Sequence, residues 1–87
     1  MVEYEKKLRK TYKIVFKNNL YHVVAYTNYM KAFTMASMAE NYIENRICEK
    51  IRKRIRAEIY NNRISDKPIG VRVRRYRKLC RLLVKYS

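Results

Sequence analysis

Apolar and polar residues alternate along residues 12–17, the first strongly patterned segment of the chain. One side of this segment carries Tyr12, Ile14 and Phe16, and the other carries Lys13, Val15 and Lys17. A period of two is typical of a half-buried strand, here with one basic face. Asn18 and Asn19 tolerate positive φ, so a second strand over Leu20 to Tyr26 is predicted to pair across them as a hairpin.

The pattern changes to helical spacing after Asn28, which is a suitable N-cap residue. The positions that predict one helical face are Met30, Phe33, Ala36, Met38, Tyr42 and Ile43. Isoleucine then recurs at every fourth position, at Ile43, Ile47, Ile51, Ile55 and Ile59. Each of these steps drifts by about 40° around a straight helix, so a bend or break is expected. A single helix from Asn28 to Asn62 is the alternative, because no Gly or Pro interrupts it.

The last third of the chain begins with turn residues, Ser65 to Gly70, which include the only Pro and the only Gly. Val71 to Arg74 alternates valine with arginine, and this pattern predicts a strand with its arginines on one side. Leu79 to Tyr86 is a final apolar segment that fits a strand as well as a helix. The overall prediction is an α+β fold.

The net charge of the chain adds most to this prediction. The chain has 22 Lys and Arg against 7 Asp and Glu, a net charge of +15 that repels itself unless a polyanion lies close by. Hydrophobic residues make up 48%, with nine Tyr and two Phe, which is too apolar for a disordered basic tail. We therefore expect one folded domain over residues 1–87 with a thin core. Residues 1–10 are expected to form a basic N-terminal arm of this domain.

Residues for catalysis and metal binding are sparse. Cys48 and Cys80 are isolated and His22 is the only histidine, so no ligand set for a structural zinc can be assembled. The seven acids are scattered among basic residues, with no pair suited to acid–base chemistry. We expect no enzyme activity, no cofactor, no metal and no small-molecule substrate. The absence of a secretory signal and of a long apolar run predicts a soluble, cytoplasmic protein that does not enter a membrane.

The basic residues, in contrast, are grouped. One block holds Arg52, Lys53, Arg54 and Arg56, and the other holds Arg72, Arg74, Arg75, Arg77, Lys78 and Arg81. Arginine, which predominates in both, suits bidentate contact with phosphate and stacking on exposed bases. The residues expected to contact RNA phosphates or riboses are Lys13, Lys17, Lys31, Arg52, Arg56, Arg72, Arg74, Arg75, Arg77 and Lys78.

Several short motifs follow one another in an order that resembles a known family. They are Thr11-Tyr12-Lys13-Ile14, Lys31-Ala32, Ile51, Ile55-Arg56-Ala57-Glu58-Ile59-Tyr60, Ile64, Val71-Arg72-Val73-Arg74 and Arg77-Lys78. This order is similar to that of large-subunit ribosomal protein thirty-one of eukaryotes and archaea, the 31e family. Three departures are Tyr29-Met30 in place of Ala-Pro, Lys53 in place of a helix-starting Pro, and Arg63 in place of a Gly. A shortened C-terminal region is a fourth.

The resemblance implies a two-layer fold in which a small mixed sheet is packed by two helices, in the order strand, helix, strand, helix, strand, strand. It places a short strand at Cys48 to Arg52 and a final strand at Leu79 to Tyr86, and only an extended segment at Leu20 to Tyr26. It further implies a structural constituent of the large subunit of the cytosolic ribosome near the polypeptide exit. The implied partners are large-subunit rRNA, neighbouring ribosomal proteins and nascent-chain factors at the tunnel exit.

Two other functions fit the charge and size. A viral or phage-type architectural protein that binds DNA would carry a similar excess of cations. A small ribonuclease or ribosome-targeting toxin would need an acid–base set, which His22 alone does not supply.

Overall fold

A computed structural model describes residues 1–26 and 28–87, which combine helices with one antiparallel sheet. The elements in chain order are α1 (Val2–Thr11), β1 (Tyr12–Lys17), β2 (Leu20–Ala25), β3 (Asn28–Phe33), α2 (Ala36–Arg63) and α3 (Ile69–Lys85). The predicted α+β class is confirmed. The chain forms two compact units, Met1–Ile47 and Cys48–Ser87, and α2 contributes residues to both. The single domain over 1–87 stays a prediction.

Helix α1 occupies the segment predicted as a basic arm. Glu3 and Glu5 lie in its first turn and Arg9 and Lys10 in its last, which is the charge order that the helix dipole favours. Leu8 is its buried residue. The arm is therefore a helix that contributes an apolar side chain to the core of the first unit.

The predicted hairpin is confirmed. Strands β1 and β2 pair antiparallel, from Tyr12 opposite Ala25 to Lys17 opposite Leu20. The two-residue turn has φ of 55° at Asn18 and 62° at Asn19, the left-handed conformation that asparagine tolerates and that matches the twist of the strands. The extended segment implied by the family resemblance at residues 20–26 is instead a paired central strand.

Strand β3 overturns the helix predicted to begin at Asn28. Residues 28–33 pair antiparallel with β2, and a register shift falls between Val23 and Val24. Phe33 lies opposite Tyr21, and its ring packs 5.3 Å from the Tyr42 ring of α2. The spacing of Met30 and Phe33 is typical of one helical face. The backbone of this segment instead forms its hydrogen bonds with β2, and α2 begins only at Ala36.

The two faces of the sheet differ. One face holds the buried side chains of Tyr12 and Val23, and the Phe33 ring on this face packs against Tyr42 of α2, whereas Phe16 at its edge is 60% exposed. The other face carries side chains that are exposed or half-buried. The sheet is entirely antiparallel, so the mixed sheet implied by the resemblance is wrong.

Helix α2 runs unbroken through the isoleucine series, so both the expected bend and the short strand at Cys48–Arg52 are wrong. Ile47, Ile51 and Ile55 are buried, whereas Ile43 and Ile59 are only half-buried. The drift of about 40° per step explains this, because the central three stay within one face and the outer two turn to its flanks. The uninterrupted-helix alternative is correct from Ala36 onward.

Helix α3 replaces the strand predicted at Val71–Arg74 and the final strand that the resemblance implied at Leu79–Tyr86, where the sequence alone left a helix equally open. Four alternating residues were too few to distinguish the two periods, and the buried positions Leu79 and Tyr86 are seven residues apart, which is two helical turns. The observed order of elements is therefore helix, three strands and two helices rather than the implied order.

Two side-chain hydrogen bonds connect the second half of α2 with α3. Asn62 Nδ2 donates to the Arg72 carbonyl oxygen at 2.8 Å, and Arg52 Nη1 donates to the Tyr86 carbonyl oxygen at 2.6 Å. Because 52 pairs with 86 and 62 with 72, the helices run antiparallel, joined by the predicted turn around Ser65–Pro68. No helix in the two described stretches, 1–26 and 28–87, is long and apolar enough to cross a membrane.

One ion pair joins α1 to α2 in the first unit. The Arg9 guanidinium hydrogen-bonds both carboxylate oxygens of Glu44, with Nη2 to Oε2 at 3.2 Å, and it also bonds Glu5 Oε1 at 3.0 Å. The hydrogen bonds from Arg9 lower the pKa of Glu44 below its usual range. Glu44 thereby stabilises the fold at a pH above the ordinary Glu pKa, and this contribution disappears as the pH falls through the lower pKa of the folded state.

We predict that Glu44→Gln lowers the free energy of unfolding by about 0.2–1 kcal/mol at pH 7, the range for an exposed ion pair. Urea unfolding at pH 7 and at pH 3 measures this. The difference from wild type should shrink at pH 3, which lies below the ordinary Glu pKa, because the carboxyl of the unfolded wild-type chain is then protonated. Glu40→Gln is the control, because it removes an equal charge one turn earlier on the same helix. Equal losses for both variants at pH 7 would show that net charge, not the pair with Arg9, is responsible.

Candidate nucleic-acid interface

The second unit concentrates the charge excess. Residues 48–87 hold 14 of the 22 Lys and Arg but only three of the seven acids, a net charge of +11 out of +15. Two of those three acids, Glu49 and Glu58, are on α2, and Asp66 is in the loop before α3. Helix α3 itself carries no acid. Any polyanion site in this unit is therefore expected along α3.

Five cations of α3 lie on one face of the helix, which we call the α3 basic face. They are Arg74, Arg77, Lys78, Arg81 and Lys85. At about 100° per residue they span about 100° of the helix circumference. All five are exposed, and Lys67 joins Arg74, Arg77, Lys78 and Arg81 in lining one groove. Three of the predicted contacts, Arg74, Arg77 and Lys78, are thus brought together.

Apart from Arg72 and Arg75, the rest of the α3 circumference is mainly apolar. Leu79 and Tyr86 are buried on the side that faces the second half of α2. Ile69, Val73 and Tyr76 line an apolar pocket with Ile59. Apart from Lys85, whose ammonium lies 5.5 Å from the centre of the Tyr86 ring, the basic face is therefore separate from the surfaces that hold the helix in place, and its charges can be changed without removing core side chains.

Arg72 is not part of the basic face. Its side chain is half-buried, and its Nη1 donates to the Arg63 carbonyl oxygen at 3.4 Å. The Arg72 carbonyl oxygen accepts the hydrogen bond from Asn62. These contacts link the start of α3 to the end of α2, and the contact of Arg72 with RNA phosphate stays a prediction.

Arg75 is exposed but lies beside a carboxylate. Its Nη2 is 3.8 Å from Glu58 Oε2, and Arg54 Nε is 3.8 Å from the other Glu58 oxygen. Glu58 thus partly offsets the field of two arginines at the edge of α3. The basic face proper has no such neighbour in the described residues.

The two predicted contacts on α2 also differ from each other. Arg52 is half-buried, and its guanidinium donates to the Tyr86 carbonyl oxygen near the end of α3, where the helix dipole favours a cation. Arg56 is exposed. Arg52 therefore serves the packing of α3, while Arg56 remains a candidate for phosphate contact.

The remaining predicted contacts lie on the sheet of the first unit. Lys13 and Lys17 are exposed on its open face. Lys31 is exposed on β3, with its ammonium 5.4 Å from the centre of the Phe33 ring and 6.0 Å from that of Tyr42. Lys31 thus makes cation–π contacts with the aromatic pair that joins sheet and helix.

Arg81 and Lys85 are members of the basic face that the sequence-based set omitted. They lie seven and eleven residues after Arg74, a spacing that returns to the same side of a helix. This signal was available, but it is visible only if residues 69–85 are assumed to be helical. A strand over Val71–Arg74 conceals it.

The potential metal ligands in residues 1–26 and 28–87 are not clustered. No three His, Cys, Asp or Glu side chains there are placed to hold a metal ion. Cys48 and Cys80 are both free thiols. The side-chain hydrogen bond with Cys80 favours the protonated Tyr76 hydroxyl and so raises the pKa of Tyr76, which lies outside the basic face.

We predict that Arg52→Gln lowers the free energy of unfolding by about 1.5–3 kcal/mol, because it removes a charged donor from a partly buried carbonyl. Arg56→Gln, which removes the same charge one turn later, should change it by less than about 0.5 kcal/mol. Urea unfolding followed by circular dichroism compares the two. Equal stability of the two variants would contradict the structural role of Arg52.

Comparisons with known proteins give this chain no relatives. No protein-family model, no curated protein and no solved structure matches it. The resemblance to the 31e family therefore stays a prediction from the sequence. The candidate interface is defined by the residues of this chain alone.

Proposed function

We propose that this protein is a non-enzymatic RNA-binding protein that acts by neutralising phosphates. The observation that carries the proposal is the α3 basic face, where five exposed cations share about 100° of one helix without a carboxylate among them. Clustered like charges repel one another in free solution, and a phosphate backbone removes that repulsion while releasing its own counterions.

The geometry supports contact with the backbone rather than base reading. The basic face runs from Arg74 to Lys85, about 17 Å along the helix axis, so it can contact more than one successive phosphate. The α3 sequence contains no Asn or Gln, the side chains that pair with adenine edges. Binding is therefore expected to depend on the shape and charge of the nucleic acid and strongly on salt.

The finer proposal is a structural role in the large subunit of the cytosolic ribosome. Its RNA would be large-subunit rRNA near the polypeptide exit, with ribosomal proteins and nascent-chain factors as neighbours. This proposal depends on the sequence resemblance alone, because the order of elements differs from the order that the resemblance implies. Co-sedimentation of tagged protein with large ribosomal subunits tests it separately from RNA binding.

A second candidate is an architectural DNA-binding protein of viral or phage type. The finding that favours it is that the last basic block is a helix and not a strand. The major groove of B-DNA is about 12 Å wide and admits a helix, whereas the corresponding groove of A-form RNA is deep and narrow. Preference for duplex DNA over RNA of equal length would select this candidate.

We predict that the triple variant Arg74→Gln, Arg77→Gln and Arg81→Gln weakens RNA binding and flattens its salt dependence. Each lost phosphate contact should reduce the slope of log K against log salt by about 0.7–0.9, hence by about 2–3 for three contacts. Fluorescence anisotropy with a labelled RNA at several salt concentrations measures both quantities.

The matched control is the triple variant Lys6→Gln, Lys7→Gln and Lys10→Gln. It removes the same total charge from exposed positions of α1. A general charge effect would lower the affinity of both triple variants equally, and that result would remove the α3 basic face as the binding site.

A further inference from the structure

The open face of the sheet in the first unit has features that phosphate binding by α3 does not use. We call it the open sheet face and define it by Lys13, Val15, Lys17, His22, Val24 and Tyr29. Lys13, Val15, Lys17 and Tyr29 are exposed, and His22 and Val24 are half-buried. On the opposite face Tyr12 and Val23 are buried and the Phe33 ring packs against Tyr42 of α2, whereas this side remains accessible.

The charge of this surface suits a polyanion. The whole stretch from Tyr12 to Phe33 contains no Asp or Glu. Lys13 and Lys17 lie four residues apart on β1, on the same side of the strand, which places them about 13 Å apart along it. Two cations at that separation can contact phosphates at different points along one extended strand.

The aromatic side chains of this surface distinguish it from α3. Tyr29 is 62% exposed, and its ring centre lies 5.7 Å from that of His22. His22 Nε2 donates to the Lys17 carbonyl oxygen at 3.0 Å, because a carbonyl can only accept, and this bond orients the ring. Two rings already held in place lose little conformational freedom when a base stacks on them.

We propose that the open sheet face binds single-stranded nucleic acid, with bases stacked on Tyr29 and His22 and with phosphates bound by Lys13 and Lys17. Aromatic rings on a positively charged surface are the combination by which proteins hold single strands without sequence preference. Val15 and Val24 provide apolar contacts between the lysines and the rings. This inference rests on the proposed nucleic-acid function and adds to it the strandedness of the ligand and a second surface.

The test separates stacking from charge by using two probes of equal phosphate content. One is a 12-nucleotide uridine oligomer and the other is an abasic 12-mer that keeps the phosphates but lacks bases. Tyr29→Ala should weaken binding of the uridine oligomer by about 5- to 150-fold, the effect of losing one stacked base. Binding of the abasic oligomer should stay within about twofold of wild type.

Tyr60→Ala is the matched control, because Tyr60 is also 62% exposed but lies on α2 in the second unit. It should change neither affinity. Tyr29→Phe should retain the affinity for uridine, since it keeps the ring. If Tyr29→Ala unfolds, Tyr29→Val replaces it, because valine suits a strand and has no ring to stack.

Three results would overturn the inference. They are an equal effect of Tyr29→Ala on both oligomers, binding of a poly-glutamate peptide as tightly as the uridine oligomer, and a dimer that Tyr29→Ala dissociates. If the α3 triple variant loses binding while the Tyr29 variants do not, this inference fails and the proposed function stands. If wild type binds neither oligomer nor duplex nucleic acid, the proposed function fails as well.

Discussion

Repulsion among 22 cations, opposed by only seven carboxylates, is the constraint on which this structure depends. In the part of the chain that the structure describes, the acids that form ion pairs lie where helices meet. Glu44 and Glu5 bind Arg9 between α2 and α1, and Glu58 lies between Arg54 on its own helix and Arg75 on α3. These carboxylates relieve repulsion where the chain packs, and none lies on α3. The α3 basic face is therefore one of the surfaces on which uncompensated charge remains.

Helix α3 can carry that charge because the side that packs differs from the side that carries the cations. Leu79 and Tyr86 pack, Arg72 and Tyr86 offer their carbonyl oxygens to side chains of α2, and the cations lie on another side. Arg52 on α2 also has a role within the fold, because its guanidinium donates a hydrogen bond to the Tyr86 carbonyl oxygen at the C-terminal end of α3. Some basic residues of this protein therefore have a structural contact within the fold, and the exposed cations of the α3 basic face are the stronger binding candidates.

Local signals in the sequence were sufficient for the hairpin and insufficient for the last helix. Alternation over Tyr12–Lys17 and the asparagine turn agreed with each other, and both are local. Asn28–Phe33 became a strand because β2 offers it a partner, which no local pattern reveals. At Val71–Arg74 a short alternation and a family resemblance both favoured a strand, although the spacing of Arg74, Lys78, Arg81 and Lys85 fits a helix. Three of the five residues of the basic face were predicted, because clustering of basic residues is visible without knowing the secondary structure.

The most direct measurement of the central claim is the thermal unfolding midpoint as a function of salt, with and without RNA. For the free protein the midpoint should rise with salt, because ions screen the repulsion among the cations. In the presence of RNA it should be highest at low salt and fall as salt displaces the bound phosphates. A free protein whose midpoint is insensitive to salt, and which RNA does not stabilise at low salt, would contradict the claim that phosphates balance its charge.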